Sequence, residues 1–491
     1  MLSPTEKTFL RRIVLFASAI VLVFLCFARE GFAQSASSLS PGIKEYVRVS
    51  APAVALEHVR VIDGTGAAPV ENQTIVIANG KIQSVAAADA ATVPEGAQIL
   101  DLSGYTVIPG LVGMHDHMFY PSGRVPIYGE MAYSFPKLYL ASGVTTIRTT
   151  GSIEPYTDLE LKRLIDSGEQ AGPEMFVTGP YLEGAGAFTP QMHILKDADD
   201  ARETVNYWAD EGVTSFKAYM HITPEELSAA VSAAHKRGLK ITGHLCSIGF
   251  RQAADLGIDD LEHGLLVDTE FNPNKVQGVC DDSPTFPTIA KLDLQSAPVQ
   301  AMIKDLIDRH VAITSTLPVF ETFVPNRPPV EQRVLDALLP QAQIDYLDAR
   351  VRVASNPRSV AIGAVVFKKE MNFERMFAKA GGLLLAGEDP TGFGGVLAGF
   401  GDQREVELLV EAGFTPLEAI RICTYDGAEF LGELHDIGTI APGKSADLVV
   451  VHGDPSKKIG DIENVEIVFK SGIGYDSAKL IDAVRGQVAL H

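Results

Sequence analysis

Two textures of hydrophobic and polar residues alternate along this chain. From Val54, the stretch ALEHVRVIDGTGAAPVENQTIVIANGKIQSVAA sets apolar and polar residues in turn around Asp-Gly and Asn-Gly pairs, the pattern of half-exposed antiparallel strands joined by tight turns. Near the other end, IGTIAPGKSADLVVVHGDP and VEIVFKSGIG repeat that texture. The likeness predicts that residues 51–104 and 436–491 together build one small β-sandwich, with residues 105–435 inserted between its two parts.

Inside the insert, short β-branched runs alternate with helical periods. VIPGLVGMHDH, GVTTIRTT, EMFVTG, GVTSFKAY, GLKITGHL, GIDDLEH, VAITSTL and GLLLAGED are eight candidate strands, and the helices between them predict an α/β fold built as a (β/α)8 TIM barrel. Thr223-Pro224-Glu225-Glu226 offers a cap, a proline at the first helical position and a capping-box glutamate, followed by the stripe Leu227, Ala230, Val231 and Ala234 and a stop at Gly238. Thr157 with Glu160, and Thr415 with Glu418, are expected to repeat the device. More than sixty residues separate the last two strands. The segment 319–372 within them is expected to form a lid or substrate wall on the face where barrel active sites lie, or else a surface elaboration. A second long, Gly-rich connection, GPYLEGAGAFTPQMHIL, brings His193 toward the same face.

The first residues change the picture of where the chain works. Lys7, Arg11 and Arg12 precede an uncharged apolar run from Ile13 to Ala28, and Gly31 and Ala33 supply small residues where signal peptidase inspects. Sixteen apolar residues are fewer than the roughly 20 of a spanning helix, so residues 1–33 read as a cleaved signal peptide, with an uncleaved anchor as the alternative. Residues 34–50, Ser-rich and polar, read as a linker. Cleavage after Ala33 leaves 37 basic and 60 acidic residues, a net charge of −23 against −21 for the whole chain. Such a charge argues against nucleic acid or an anionic membrane surface as partner. It fits a periplasmic or secreted protein acting on a small molecule, as a homo-oligomer by ordinary prior. Cys246, Cys280 and Cys423 remain after cleavage, too few for disulfides to dominate stability; Cys280 is a candidate for pairing, with its partner open.

Candidate chemistry gathers at the ends of the predicted strands. His115 and His117 project the same way from strand one and can grip one ion. Strand four ends in Lys217, strand five in His244, strand six in His263 and strand eight in Asp389. A single such histidine is usually a core residue; six metal-ligand types at one end of one barrel point to a metal centre. In VTSFKAY, Phe216 and Lys217 face opposite ways, so Lys217 points into the barrel, where a bare ammonium is costly. Either a salt bridge to Asp389 or carbamylation by carbon dioxide relieves that cost.

This set resembles the amidohydrolase superfamily, and VIDGTG, PGLVGMHDHM and IGTIAPGKSADLVVV are similar to its imidazolonepropionase and prolidase-like branch. The resemblance runs from about Val54 to the end. It implies two divalent ions, zinc first, with manganese, iron or cobalt as substitutes. His115, His117 and Asp389 would hold one, His244 and His263 the other, and carbamylated Lys217 would bridge them. It also implies a metal-bound hydroxide as nucleophile and Asp389 as the catalytic proton carrier, cleaving an amide-type C–N bond of a dipeptide, an N-acyl amino acid or a cyclic amide. A lactonase or esterase, a deaminase, or a non-enzymatic binding homologue are the alternatives; Lys217 speaks against a deaminase. Glu388, standing where the family commonly has a small or hydroxyl residue, and Asp116 should face away from the metal side. His193, Tyr219, His221 and Glu388 are the candidate substrate contacts.

Overall fold

The computed structural model describes residues 38–123 and 127–489. The apolar run and the predicted signal peptide lie outside them. Among the described residues no helix is long and apolar enough to cross a membrane.

The two ends of the chain do meet. Ala53–Val61, Val70–Ala78, Lys81–Ala87, Gln98–Asp101 and Tyr105–Pro109 share a nine-stranded sheet with Leu448–His452, Val465–Lys470 and Ile473–Asp476. The seam is antiparallel, Val450 opposite Val107 and Leu448 opposite Pro109. Its inward residues, among them Val54, Leu56, Ile75, Val107, Val450 and Phe469, form a core of their own. The hydrogen bonding describes one continuous sheet where a sandwich was expected. Of the linker expected over residues 34–50, the described part, from residue 38 on, carries secondary structure. Pro41–Lys44 is a short helix, and Val47–Val49 pairs with Ile473–Asp476 at the sheet edge. Ile43 and Val49 are buried there, which composition dominated by serine conceals.

Eight parallel strand positions follow in chain order: Leu111–Asp116, Val144–Thr149, a third broken into Glu174–Phe176 and Thr178–Leu182, then Ser215–Ala218, Lys240–Gly243, Asp260–Glu262, Ala312–Ser315 and Leu384–Ala386. The third strand joins the two hydrogen-bonded groups, its first piece pairing with strand two and its second with strand four. Strand eight meets strand one where the Asp389 N–H donates to the His115 carbonyl at 2.9 Å. This is the order expected of a (β/α)8 barrel. The predicted first strand proves to be two: Tyr105–Pro109 belongs to the terminal sheet and Leu111–Asp116 to the parallel set. Gly110 stands at the break, where a Cβ would lie 2.0 Å from Thr145 Oγ1.

Helix Pro224–Lys236 begins with the predicted capping box, Thr223 and Glu226 satisfying each other's backbone N–H groups, and buries Leu227, Ala230, Val231 and Ala234. Thr415 and Glu418 do the same for Pro416–Arg421. Thr157 does not: its helix, Pro155–Asp166, starts two residues earlier after Glu154, and the Thr157 hydroxyl binds the Glu154 carboxylate at 3.0 Å. Proline at the first helical position outranked the Thr-x-x-Glu spacing. The long connection before strand eight is helical, comprising Leu317–Glu321, Gln332–Ala337, Pro340–Ser355 and Pro357–Lys379. Cys280 pairs with Cys246, closing 34 residues of chain, and Cys423 is a buried free thiol.

Candidate metal centre

His115, His117, Lys217, His244, His263 and Asp389 all line one cavity of about 190 Å³ at the C-terminal ends of the parallel strands. Strand alternation accounts for Lys217, whose neighbour Phe216 is packed into the hydrophobic core. His263 and Asp389 depart from the strand geometry. Their φ angles are +67° and +51°, left-handed values that cost non-glycine residues energy and that gather at functional sites.

Three of the four imidazoles are held by their outer nitrogens. His115 Nδ1 lies 2.6 Å from Glu262 Oε2, His117 Nδ1 3.2 Å from the Gly151 carbonyl and His263 Nδ1 2.7 Å from Thr316 Oγ1. With Nδ1–H donating outward, each Nε2 keeps its lone pair and faces Asp389. The separations are 3.7 Å for His115, 3.6 Å for His117 and 3.9 Å for His263. Ligand atoms of His115, His263 and Asp389 fall within 4.8 Å of one another. Outward hydrogen bonds that fix the tautomer of a histidine are the usual support of a metal site. Burial, reinforced by neighbouring positive charge, lowers all four imidazole pKa values and favours the neutral form a metal requires. Thr391 Oγ1 donates to Asp389 Oδ1 at 2.7 Å, leaving Oδ2 toward His115 and His263. The donor set therefore fits a divalent cation bound by nitrogen and oxygen.

The buried partner of Lys217 is Glu262, at 3.6 Å, and not the Asp389 offered as one alternative. Glu262 also receives Arg148 Nη2 at 2.8 Å. Burial works against its ionisation, yet Lys217, Arg148 and His115 together hold it well below the usual glutamate range. Burial lowers Lys217 itself to about 8. Glu262 and Arg148 escaped the sequence reading. The signal was present in GIDDLEH and GVTTIRTT, where a charge interrupts an apolar or β-branched run.

The candidate substrate contacts divide. Tyr219 lines the cavity with its ring 4.9 Å from that of His244. His193 does not reach it. Its side chain is about half exposed, 3.8 Å from Asp200, and its neighbour Met192 lines the cavity instead. The His221 backbone N–H binds Glu183 at 2.7 Å, its ring nitrogen lies 3.4 Å from that carboxylate, and it is not among the lining residues. Glu388 points away from Asp389, as alternation requires, into a buried group with Asp116 and Asp402, and the Tyr139 hydroxyl lies 3.0 Å from it. It is therefore no substrate contact. From the long connection Val319, Phe320 and Phe323 reach the cavity wall, so part of the segment expected as a lid borders the site.

Comparison with known proteins gives this arrangement a family. Residues 106–283 and 338–473 match the Amidohydrolase family. A dihydroorotase from Pelobacter propionicus is 30% identical over 161 residues, 31% of this chain and 37% of that protein, so the match spans little over a third of the relative's length. Among solved structures, bottromycin amidohydrolase superposes with a TM-score of 0.65 at 20% identity, covering 93% of this chain and 96% of that one. A Xaa-Pro dipeptidase with bound methionine in its active site gives 0.63 at 22% identity, over 86% and 100%. At these identities the two structures are likenesses of fold. The family match covers most of the chain, including strands one to six and strand eight with their candidate ligands, and the chain belongs to the amidohydrolase family.

Proposed function

We propose that this chain is an exported, metal-dependent hydrolase that cleaves an amide-type C–N bond. The observation that carries the reading is the convergence of three histidine Nε2 atoms on Asp389 while their Nδ1 atoms are tied to Glu262, Gly151 and Thr316. His115, His117 and Asp389 would hold one divalent ion, with His244 and His263 holding a second. A divalent cation held there lowers the pKa of water toward about 7 and polarises a carbonyl. Lys217, facing this group, would take up carbon dioxide, release a proton and bridge the two ions as a carbamate. Asp389, oriented by Thr391, accepts the proton of the attacking water and delivers it to the leaving nitrogen. Tyr219 borders the substrate. Dipeptides, N-acyl amino acids and cyclic amides all contain the bond such a site would cleave.

Export is supported by the basic, then apolar opening of the chain and by the Cys246–Cys280 disulfide, which persists in oxidising compartments. The decisive experiment is to strip the purified chain with a chelator, restore zinc or manganese in bicarbonate buffer, and assay a panel of amides. Hydrolysis should appear only with metal and should fall by about 10²-fold or more in Asp389→Asn. A metal-loaded protein that cleaves no C–N bond, or an Asp389→Asn variant with unchanged turnover, would overturn the reading.

A further inference from the structure

Aromatic rings surround the candidate ligands in an unbroken series of contacts. On one side Phe119 stacks on His117 at 4.4 Å, Tyr128 meets Phe119 at 5.2 Å and Phe188 meets Tyr128 at 6.0 Å. Tyr219 joins Phe188 to His244 at 5.9 and 4.9 Å. On the other side Phe320 packs on His263 at 5.5 Å and Phe323 on Phe320 at 5.8 Å. The rings come from separate places: the first hairpin, the loop after strand three, the end of strand four, and the long connection before strand eight.

Two of the rings stand open to solvent. Phe188 is 47% exposed, and Phe393, which packs on Phe323 at 4.5 Å, is 41% exposed. Bulky apolar side chains left open at the mouth of a polar site are what a ligand would cover. The electrostatics point the same way. Among the described residues, the ionisable groups of the cavity wall are the four histidines, Lys217, Asp389 and tyrosines. Assigned to metal, the first six leave no cationic side chain among the described residues of the wall to fix a carboxylate of the substrate. Arg358 lines a separate small pocket that shares only Phe320 and Phe323 with this one. A cationic substrate would be repelled by the ions themselves.

We propose that the substrate presents an uncharged aromatic ring to this cage, beside the bond to be cleaved. This rests on the reading of the site as a hydrolytic metal centre, and it narrows that reading. Among the described residues the free carboxylate of dipeptides and N-acyl amino acids finds no cationic side chain on this wall, whereas a benzoyl-like or anilide-like group finds ring edges and faces on both sides. Tyr128, Tyr181 and Tyr219 line the same wall. A cavity of about 190 Å³ is small beside the roughly 300–1,000 Å³ of drug-sized sites and suits one ring.

The test separates ring recognition from turnover. Hydroxamates anchor on a metal without needing hydrolysis, so binding of benzohydroxamate, acetohydroxamate, succinyl monohydroxamate and a trimethylammonium-bearing acetohydroxamate to the metal-loaded full chain is measured by calorimetry. Benzohydroxamate should bind at least tenfold tighter than the other three, and Phe188→Ala should remove most of that margin while leaving acetohydroxamate affinity unchanged. Phe188, open to solvent, can be truncated without disturbing the core. Equal affinities, preference for the succinyl or cationic compound, or no binding at all would overturn the proposal. If the benzoyl preference holds but no amide is hydrolysed, the hydrolase reading fails and the cage stands. If amides are hydrolysed with no preference for a ring, the reverse is true.

Discussion

The Nδ1 of His115 and the carboxylate of Glu262 lie 2.6 Å apart in the buried centre of the strand ring. That contact fixes which nitrogen of His115 is free, and Arg148 and Lys217 balance its charge. Glu262→Gln keeps the volume and one acceptor but removes the negative charge. It is expected to weaken the tightest-bound ion by about 10–100-fold, measured by competition with a chromophoric chelator, with the far-ultraviolet circular dichroism unchanged. Unaltered metal affinity would reduce Glu262 to a packing residue.

Lys217 is the sharpest discriminator of the bridging role. Lys217→Ala should lower metal content from two ions per chain to one or none by elemental analysis, with turnover falling by orders of magnitude. Lys217→Arg, which keeps a cation opposite Glu262 but cannot form the carbamate, should behave like Lys217→Ala. If the arginine variant keeps both ions, Lys217 serves as the ion-pair partner of Glu262 and nothing more.

Asp116, Glu388 and Asp402 form a buried carboxylate group behind the site, with several of their oxygens lacking a partner among the described residues. Burial raises Asp402 from the ordinary 3.8 to about 7. A folded-state pKa above the unfolded one favours the folded chain when protonated, so this contribution is present below about pH 4 and is lost as pH rises through 7. Asp402→Asn, neutral at every pH, should therefore melt about 2 °C or more above the parent at pH 8. At pH 4 the two should coincide. A variant less stable at pH 8 would show that the ionised form is held by a cation.

The Cys246–Cys280 bridge ties the end of strand five to the loop 34 residues on. By the loop-entropy estimate such a closure stabilises by about 3–4 kcal/mol. Cys280→Ser, or thermal unfolding under reductant, should lower the melting temperature by several degrees, and the parent under non-reducing conditions should show one free thiol per chain by titration after denaturation if the first 33 residues have been removed. Identical melting with and without reductant would mean the pair is not bonded in solution.

Much of this molecule was legible along the chain, because short-range rules govern it. Alternation placed His115, His117, Lys217, His244, His263 and Asp389 on the ends of strands, and turned Asp116 and Glu388 away from them. The Thr-Pro-Glu-Glu signal placed a helix start to the residue. Where two local rules competed the sequence misled, as at Thr157, where the earlier proline began the helix. Tertiary structure alone decided who meets whom. Glu262 and Lys217 are 45 positions apart and Glu262 and His115 are 147, and no periodicity relates them. The strand ring brings them within 4 Å, and burial there makes an opposite charge obligatory. The same holds for His193, which the chain sends toward the mouth but a single loop turn faces to solvent while Met192 faces inward. The sequence by itself determined which residue types stand at the ends of the strands, since that follows from a period of two; only the closed arrangement of strands, and the desolvation it imposes, determined which of them act together.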